Sequence, residues 1–138
     1  MRKPKPSSLD DNVRVLLDTA ALIYAVDSPE DLSRRATVVL QNPGNILEIS
    51  AISVAEIAIK VGLGKLKVAA DVLRRAVEEL NARVLPYTAE HAYALFELPF
   101  HHRDPFDRQI IAQALAEEIP VVTPDEKFQL YKRLRVIW

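Results

Sequence analysis

"HRDPFDRQIIAQALAEEIPVVTPDEKF", residues 102–128, holds one complete helix-to-strand step. Asp104 followed by Pro105 reads as a helix start, because aspartate accepts the free N–H groups of a first turn and proline suits the first helical position. Beyond it, Ile110, Ile111, Ala114 and Leu115 recur at helical spacing and form one apolar ridge. Val121–Val122 then reads as a short buried strand, closed by Thr123-Pro124-Asp125-Glu126. Asp107 falls on the ridge of the isoleucines, the face that meets a sheet, and an acid placed there needs a partner.

The same alternation runs outward in both directions. Val13–Leu17, Ile46–Ile49, Arg83–Leu85 and Arg135–Ile137 are short runs rich in Val, Ile and Leu. Between them lie stretches of helical period. Leu32, Ala36, Val39 and Leu40 share a face, as do Val72, Leu73, Ala76, Val77 and Leu80, and again Ala89, Ala92, Tyr93 and Phe96, each predicted to cover a sheet. Strands that are apolar on both faces, with only three glycines for tight turns, predict a parallel sheet covered on both sides. The expectation is a three-layer α/β/α domain over residues 13–138, with four to five parallel strands. Residues 1–12, with two prolines, two serines and mixed charges, read as an arm outside the core.

Composition removes several classes of function. The 138 residues, 49% hydrophobic and 27% charged, fit one globular domain. Without cysteine there is neither a disulfide framework nor a thiolate metal site. No apolar run reaches membrane-spanning length, and the basic start leads into Ser7-Ser8-Leu9-Asp10-Asp11 instead of a signal-peptide core, so a cytoplasmic location without membrane contact is expected. A formal charge of −1 gives no general basic surface for nucleic acid, so a phosphate partner must be bound locally.

The placement of the acids is the informative feature. Asp18 ends "VRVLL" and Asp125 follows "PVVTP", both at strand carboxyl ends, where open parallel sheets form their ligand crevices. Glu56 is the only acid between Ile49 and Ala70. Each acid has a plain alternative as a helix start. Ser53-x-x-Glu56 is a capping box, Asp104-Pro105-Phe106-Asp107 is a close analogue, and Thr123-Pro124-Asp125-Glu126 repeats the pattern. Capping explains each acid singly; it does not explain four acids in segments otherwise almost free of them, all expected at one edge of the sheet. Bare, such a cluster repels itself, and a divalent cation removes that cost. Oxygen-only donors favour Mg²⁺ or Mn²⁺ over zinc, and such ions complete their shells with water and phosphate oxygens. Phosphoester hydrolysis is the chemistry suggested.

Thr19, Asp104 and Thr123 flank these acids and are read as supports that orient a carboxylate or cap a helix. Among nearby basic residues, Arg108 is the best candidate for contact with a substrate phosphate. His101 and His102 read as loop residues, and "GLGK" at 62–65 reads as a helix stop, since it follows a helix and lacks the Ser or Thr of a phosphate-binding loop.

In order and spacing, "LLDTAALIYAV", "ISAISVAEIAIKVGLGKL", "HRDPFDRQIIAQALAEEIPVVTPDEKF" and the closing "RVIW" resemble the PIN-domain family, in particular the VapC-type toxins of toxin–antitoxin pairs. The likeness runs from about Arg14 to Trp138, and the family's acidic set matches Asp18, Glu56, Asp107 and Asp125. The resemblance implies a Mg²⁺- or Mn²⁺-dependent ribonuclease acting on an RNA substrate, restrained by a cognate antitoxin and assembled as a homodimer. The arm is extra to the family pattern. A phosphatase with an aspartyl nucleophile would want a second aspartate at position 20, which is alanine, and a receiver domain would want its acid pair at the end of the first strand, which Asp10-Asp11 precede. A non-catalytic interaction module is the remaining alternative, distinguished by metal binding.

Overall fold

The computed structural model describes residues 13–138; the arm expected over 1–12 lies outside the described residues. Strands β1 (Arg14–Leu17), β2 (Ile46–Ser50), β3 (Ala82–Leu85), β4 (Val121–Val122) and β5 (Val136–Ile137) form one sheet in the order β3-β2-β1-β4-β5. Every pairing in it is parallel. Helices α1 (Thr19–Asp27), α2 (Arg34–Gln41), α3 (Ala51–Gly62), α4 (Ala70–Glu79), α5 (Ala89–Ala94) and α6 (Pro105–Glu117) connect the strands. The five-stranded parallel sheet agrees with the expected class. Strand ends move by a residue, β1 starting at Arg14 and β3 at Ala82.

Alternation along the strands divides the core in two. Val15, Leu17 and Val122 face a cluster completed by Ala21, Leu22, Ala36, Val39, Ile57 and Val77. Leu16 and Val121 face the other way, onto Ile110, Ile111, Ala114, Phe128 and Tyr131. Two apolar faces on one sheet give the three layers. The chain runs outward from β1 to β2 and β3, then returns to place β4 on the other side of β1. The strand order reverses between β1 and β4, and a crevice opens at the carboxyl ends of such a pair.

The expected face of Ala89, Ala92, Tyr93 and Phe96 does not cover the sheet. Tyr93 and Phe96 are 65% and 84% exposed and stack on each other. Helix α5 instead buries His91, whose Nδ1 accepts the Thr88 N–H at 3.0 Å while Nε2 lies 2.8 Å from Glu117 Oε2. A satisfied polar ring takes the interior, and the apolar face turns to solvent.

A second departure concerns Glu48, a fully buried acid in β2 that the pattern of isolated acids did not single out. Arg14 Nε and Arg83 Nε donate to its two oxygens, each at 2.8 Å, and Arg14 continues to Glu117 at 3.1 Å. Glu48 is therefore a buried carboxylate with its charge compensated.

Candidate active site

Asp18 leaves β1 and caps α1, its Oδ1 accepting the Ala21 N–H at 2.8 Å. Leu17 pairs with Val122, and the Asp18 N–H donates to the Val122 carbonyl at 3.1 Å, so the residues following β1 and β4 lie side by side. Thr123 donates its hydroxyl to Asp18 Oδ2 at 2.5 Å and accepts the Asp125 N–H at 3.0 Å. Asp125 in turn caps the 3₁₀ turn Glu126–Leu130 through the Lys127 N–H. One hydroxyl thus ties Asp18 to the backbone of Asp125.

Glu56 enters from α3. The expected capping box at Ser53 is not formed: the helix begins three residues earlier, with Ser50 as its cap, which places Glu56 in the second turn. Ser53 is fully buried and accepts the Thr19 hydroxyl at 2.8 Å, joining α1 to α3. Freed from capping, the Glu56 carboxylate is buried, with Oε2 held by Lys60 Nζ at 2.8 Å and Oε1 without a hydrogen-bond partner. Asp107 comes from the first turn of α6, which Asp104 caps by accepting the Phe106 and Asp107 N–H groups. Likewise Thr123 is not the cap of a helix; Asp125 is, and Thr123 serves Asp18.

The electrostatics join the four acids. Burial pushes the Asp18 carboxyl up to about 7; the hydrogen bonds from Thr123 and Ala21 oppose this, and the charges of Asp125 and Glu56 add to it. Asp107 is also pushed up to about 7, by burial first and then by the charges of Asp104, Asp18, Glu56 and Asp125. Lys60 is raised, chiefly by its bond to Glu56, with Asp104 and Asp107 contributing. Glu48, two arginines beside it, forms the contrast. Among the described residues no basic side chain bridges to Asp18, which is 2% exposed. Burying such charge without a counter-ion is expensive.

Among the described residues no three Asp, Glu or His side chains are grouped so that together they could hold one metal ion. The donor set nevertheless fits a hard divalent cation. All four side chains offer oxygen, burial pushes two of the carboxyls up to about 7, and Glu56 keeps a buried oxygen unused. Mg²⁺ and Mn²⁺ sites of this kind use few carboxylates and fill the remaining positions with water and substrate oxygens.

Arg108 and His102 make contacts that the sequence reading did not foresee. Arg108 donates to the Pro99 and Leu98 carbonyls and to the Tyr131 hydroxyl, and its guanidinium lies 4.3 Å from the Phe100 ring centre. Its guanidinium is thus engaged by groups of the protein itself. His102, read from the sequence as a loop residue, has a side chain only 8% exposed, and its Nε2 lies 3.5 Å from Asp107 Oδ2. Burial lowers its pKa. No spacing rule links His102 to Tyr131, the residue that orients it, so the sequence held no signal for this contact.

The family model described as PIN domain matches residues 15–134. No curated protein matches the chain. Among solved structures, the chain is similar to one in Rickettsia felis VapBC2 bound to a promoter DNA fragment, at 20% identity and TM-score 0.66, covering 89% of this chain and 96% of that one. A chain of DNA-bound VapBC from Salmonella typhimurium is similar at 19% identity and TM-score 0.68, covering 90% and 96%. One in VapBC-5 from Mycobacterium tuberculosis, of a family of toxin–antitoxin systems, is similar at 19% identity and TM-score 0.55, covering 89% and 96%. At these identities the solved structures speak for the fold, while the family model spans most of the sequence and includes all four acids: the chain belongs to the PIN-domain family.

Proposed function

We propose that this chain is a Mg²⁺- or Mn²⁺-dependent endoribonuclease and the toxin of a toxin–antitoxin pair, with Asp18, Glu56, Asp107 and Asp125 as both its catalytic and its metal-binding residues. One observation carries the reading: Asp18 and Asp107, from different segments, are both held near neutral pKa by burial first and then by charges that include Glu56 and Asp125. Glu48, by contrast with Asp18, is a buried acid held by two arginines.

A bound divalent cation would neutralise the carboxylates and the scissile phosphate and favour ionisation of the attacking water. The chain's own residues set the stage for it. Thr123 and the Ala21 N–H fix both oxygens of Asp18. Lys60 holds one oxygen of Glu56 and leaves the other free. No side chain is required as a covalent nucleophile.

The antitoxin partner is supported by similarity to chains of VapBC assemblies. An acidic crevice attracts a basic side chain from such a partner. A homodimer is proposed through exposed apolar residues, with Val38 on α2, and Ile59 on α3 with Leu63 at its end, as candidates. No described helix is long and apolar enough to cross a membrane, and a cytoplasmic site of action goes with an RNA substrate. The test is cleavage of a broad set of single-stranded and hairpin RNAs with Mg²⁺, with Mn²⁺ and with excess chelator. Metal-dependent cuts support the reading, and equal cleavage in chelator refutes it. Solo expression against co-expression with the neighbouring open reading frame separates toxin from other nuclease: normal growth with active protein alone removes the toxin assignment. Metal binding without cleavage of any RNA or phosphomonoester would favour an interaction module.

A further inference from the structure

His102 and Tyr131 lie outside the acidic set, yet the structure connects them to it. Tyr131 is 2% exposed, and its hydroxyl lies 2.8 Å from His102 Nδ1 and 3.2 Å from Arg108 Nη1. Chemistry assigns a direction to this chain. A guanidinium only donates, so the Tyr131 oxygen accepts from Arg108 and has its own hydrogen to give. The only acceptor placed to receive it, among the described residues, is His102 Nδ1. A neutral imidazole carries one N–H, and with Nδ1 accepting, that hydrogen sits on Nε2. His102 Nε2 is buried, has no hydrogen-bond partner, and lies 3.5 Å from Asp107 Oδ2. A buried donor without a partner is costly, and a small ring rotation onto Asp107 removes that cost.

We propose that His102 is a positioning residue for Asp107: Arg108 and Tyr131 fix its Nε2–H tautomer, and that N–H holds Oδ2 so that the other carboxylate oxygen is presented to the cation. The proposal rests on the metal-site reading above. Arg108 gains a role in this arrangement, since its anchoring to Leu98, Pro99 and Tyr131 sets the start of the relay. Hydrogen-bond partners behind metal-ligating groups typically carry about 10- to 100-fold in metal affinity.

The experiment titrates Mn²⁺ alone into full-length wild type, His102→Gln, His102→Leu and Tyr131→Phe, followed by calorimetry and electron paramagnetic resonance, with thermal melts of each. Glutamine keeps an N–H donor near the position of Nε2, so His102→Gln should bind close to wild type, and His102→Leu should bind about 10-fold more weakly while melting cooperatively. Nitrogen-15 shifts of the metal-free wild type should show His102 with its hydrogen on Nε2, and Tyr131→Phe should mix the two tautomers. Wild-type affinity in folded His102→Leu, or an Nδ1–H tautomer in wild type, overturns the positioning role. Strong nitrogen coupling to bound Mn²⁺ would make His102 a direct ligand and also overturn it. Should His102→Leu fail to fold, Tyr131→Phe and the tautomer measurement decide. Absence of Mn²⁺ binding by wild type itself refutes the metal-site reading, a result distinct from every outcome that separates the variants.

Discussion

Asp18→Asn gives the sharpest test of the site's electrostatics, because the expected sign is opposite to that of an ordinary core mutation. In the metal-free protein the Asp18 carboxyl is pushed up to about 7 from 3.8. The native state therefore holds a proton over a range where the unfolded chain has released it, and stability from this group falls as pH rises from about 4 toward 7, then levels. A shift of about three units sets a ceiling of about 4 kcal/mol on the destabilisation at pH 8. Asparagine removes the charge and keeps an oxygen for the Ala21 N–H, but its amide offers a donor where Thr123 now donates. The Thr123 hydroxyl loses its acceptor, at a cost of about 1 kcal/mol or more. The net gain at pH 8 is about 1–3 kcal/mol, or a melting temperature higher by about 3 °C or more for a domain of this size. Calorimetry in chelator at pH 8 and pH 4.5 reads it: the variant is more stable at pH 8, and the advantage vanishes or reverses at pH 4.5, where wild-type Asp18 is already protonated. Mn²⁺ should then stabilise wild type and do little for the variant, since binding to the native state raises stability by mass action. A variant less stable than wild type at pH 8, or a difference that grows as pH falls, refutes the reasoning.

Asp104→Ala should cost about 1 kcal/mol by uncapping α6 while cleavage partly survives, and should move the acid limb of the pH–rate profile downward because its charge helps to raise Asp107. Asp107→Asn should do the reverse in melts and cleavage assays, abolishing activity with metal-free stability equal or higher. Thr123→Val should lower Mn²⁺ affinity about 10- to 100-fold in a binding titration, since the hydroxyl on Asp18 Oδ2 is lost. Glu48→Gln should cost about 2 kcal/mol in a denaturant melt and leave cleavage rates unchanged, because the Arg14 and Arg83 bonds it weakens lie outside the crevice.

The local signals were legible in the chain itself. Short continuous apolar runs marked the five strands, period-3.6 patterning marked most helix faces, and the Asp-Pro start marked the cap of α6 at its observed residue. Four acids in apolar segments were visible for the same reason, since a missing apolar residue at a buried position stands out in one dimension. Patterning failed at α5, where the apolar stripe of Tyr93 and Phe96 faces solvent. A six-residue helix has few buried positions, and the hydrogen-bonded His91 claims one of them.

Pairing across the sheet was beyond the sequence. The order β3-β2-β1-β4-β5 sets Thr123 against Asp18, residues 105 positions apart, and turns a nominal helix cap into the partner of an acid. The same three-dimensional pairing separates Glu48 from Asp18: both are buried acids at the end of or within an apolar strand, but only Glu48 meets two arginines. His102 reaches Asp107 only because Tyr131, 29 residues away, fills the space behind it. Sequence period reports which residues are buried, because burial repeats with the local backbone. Which charge a buried acid meets is set by contacts between distant segments, and these carry no period, so tertiary structure alone decided which buried acids meet a base and which do not.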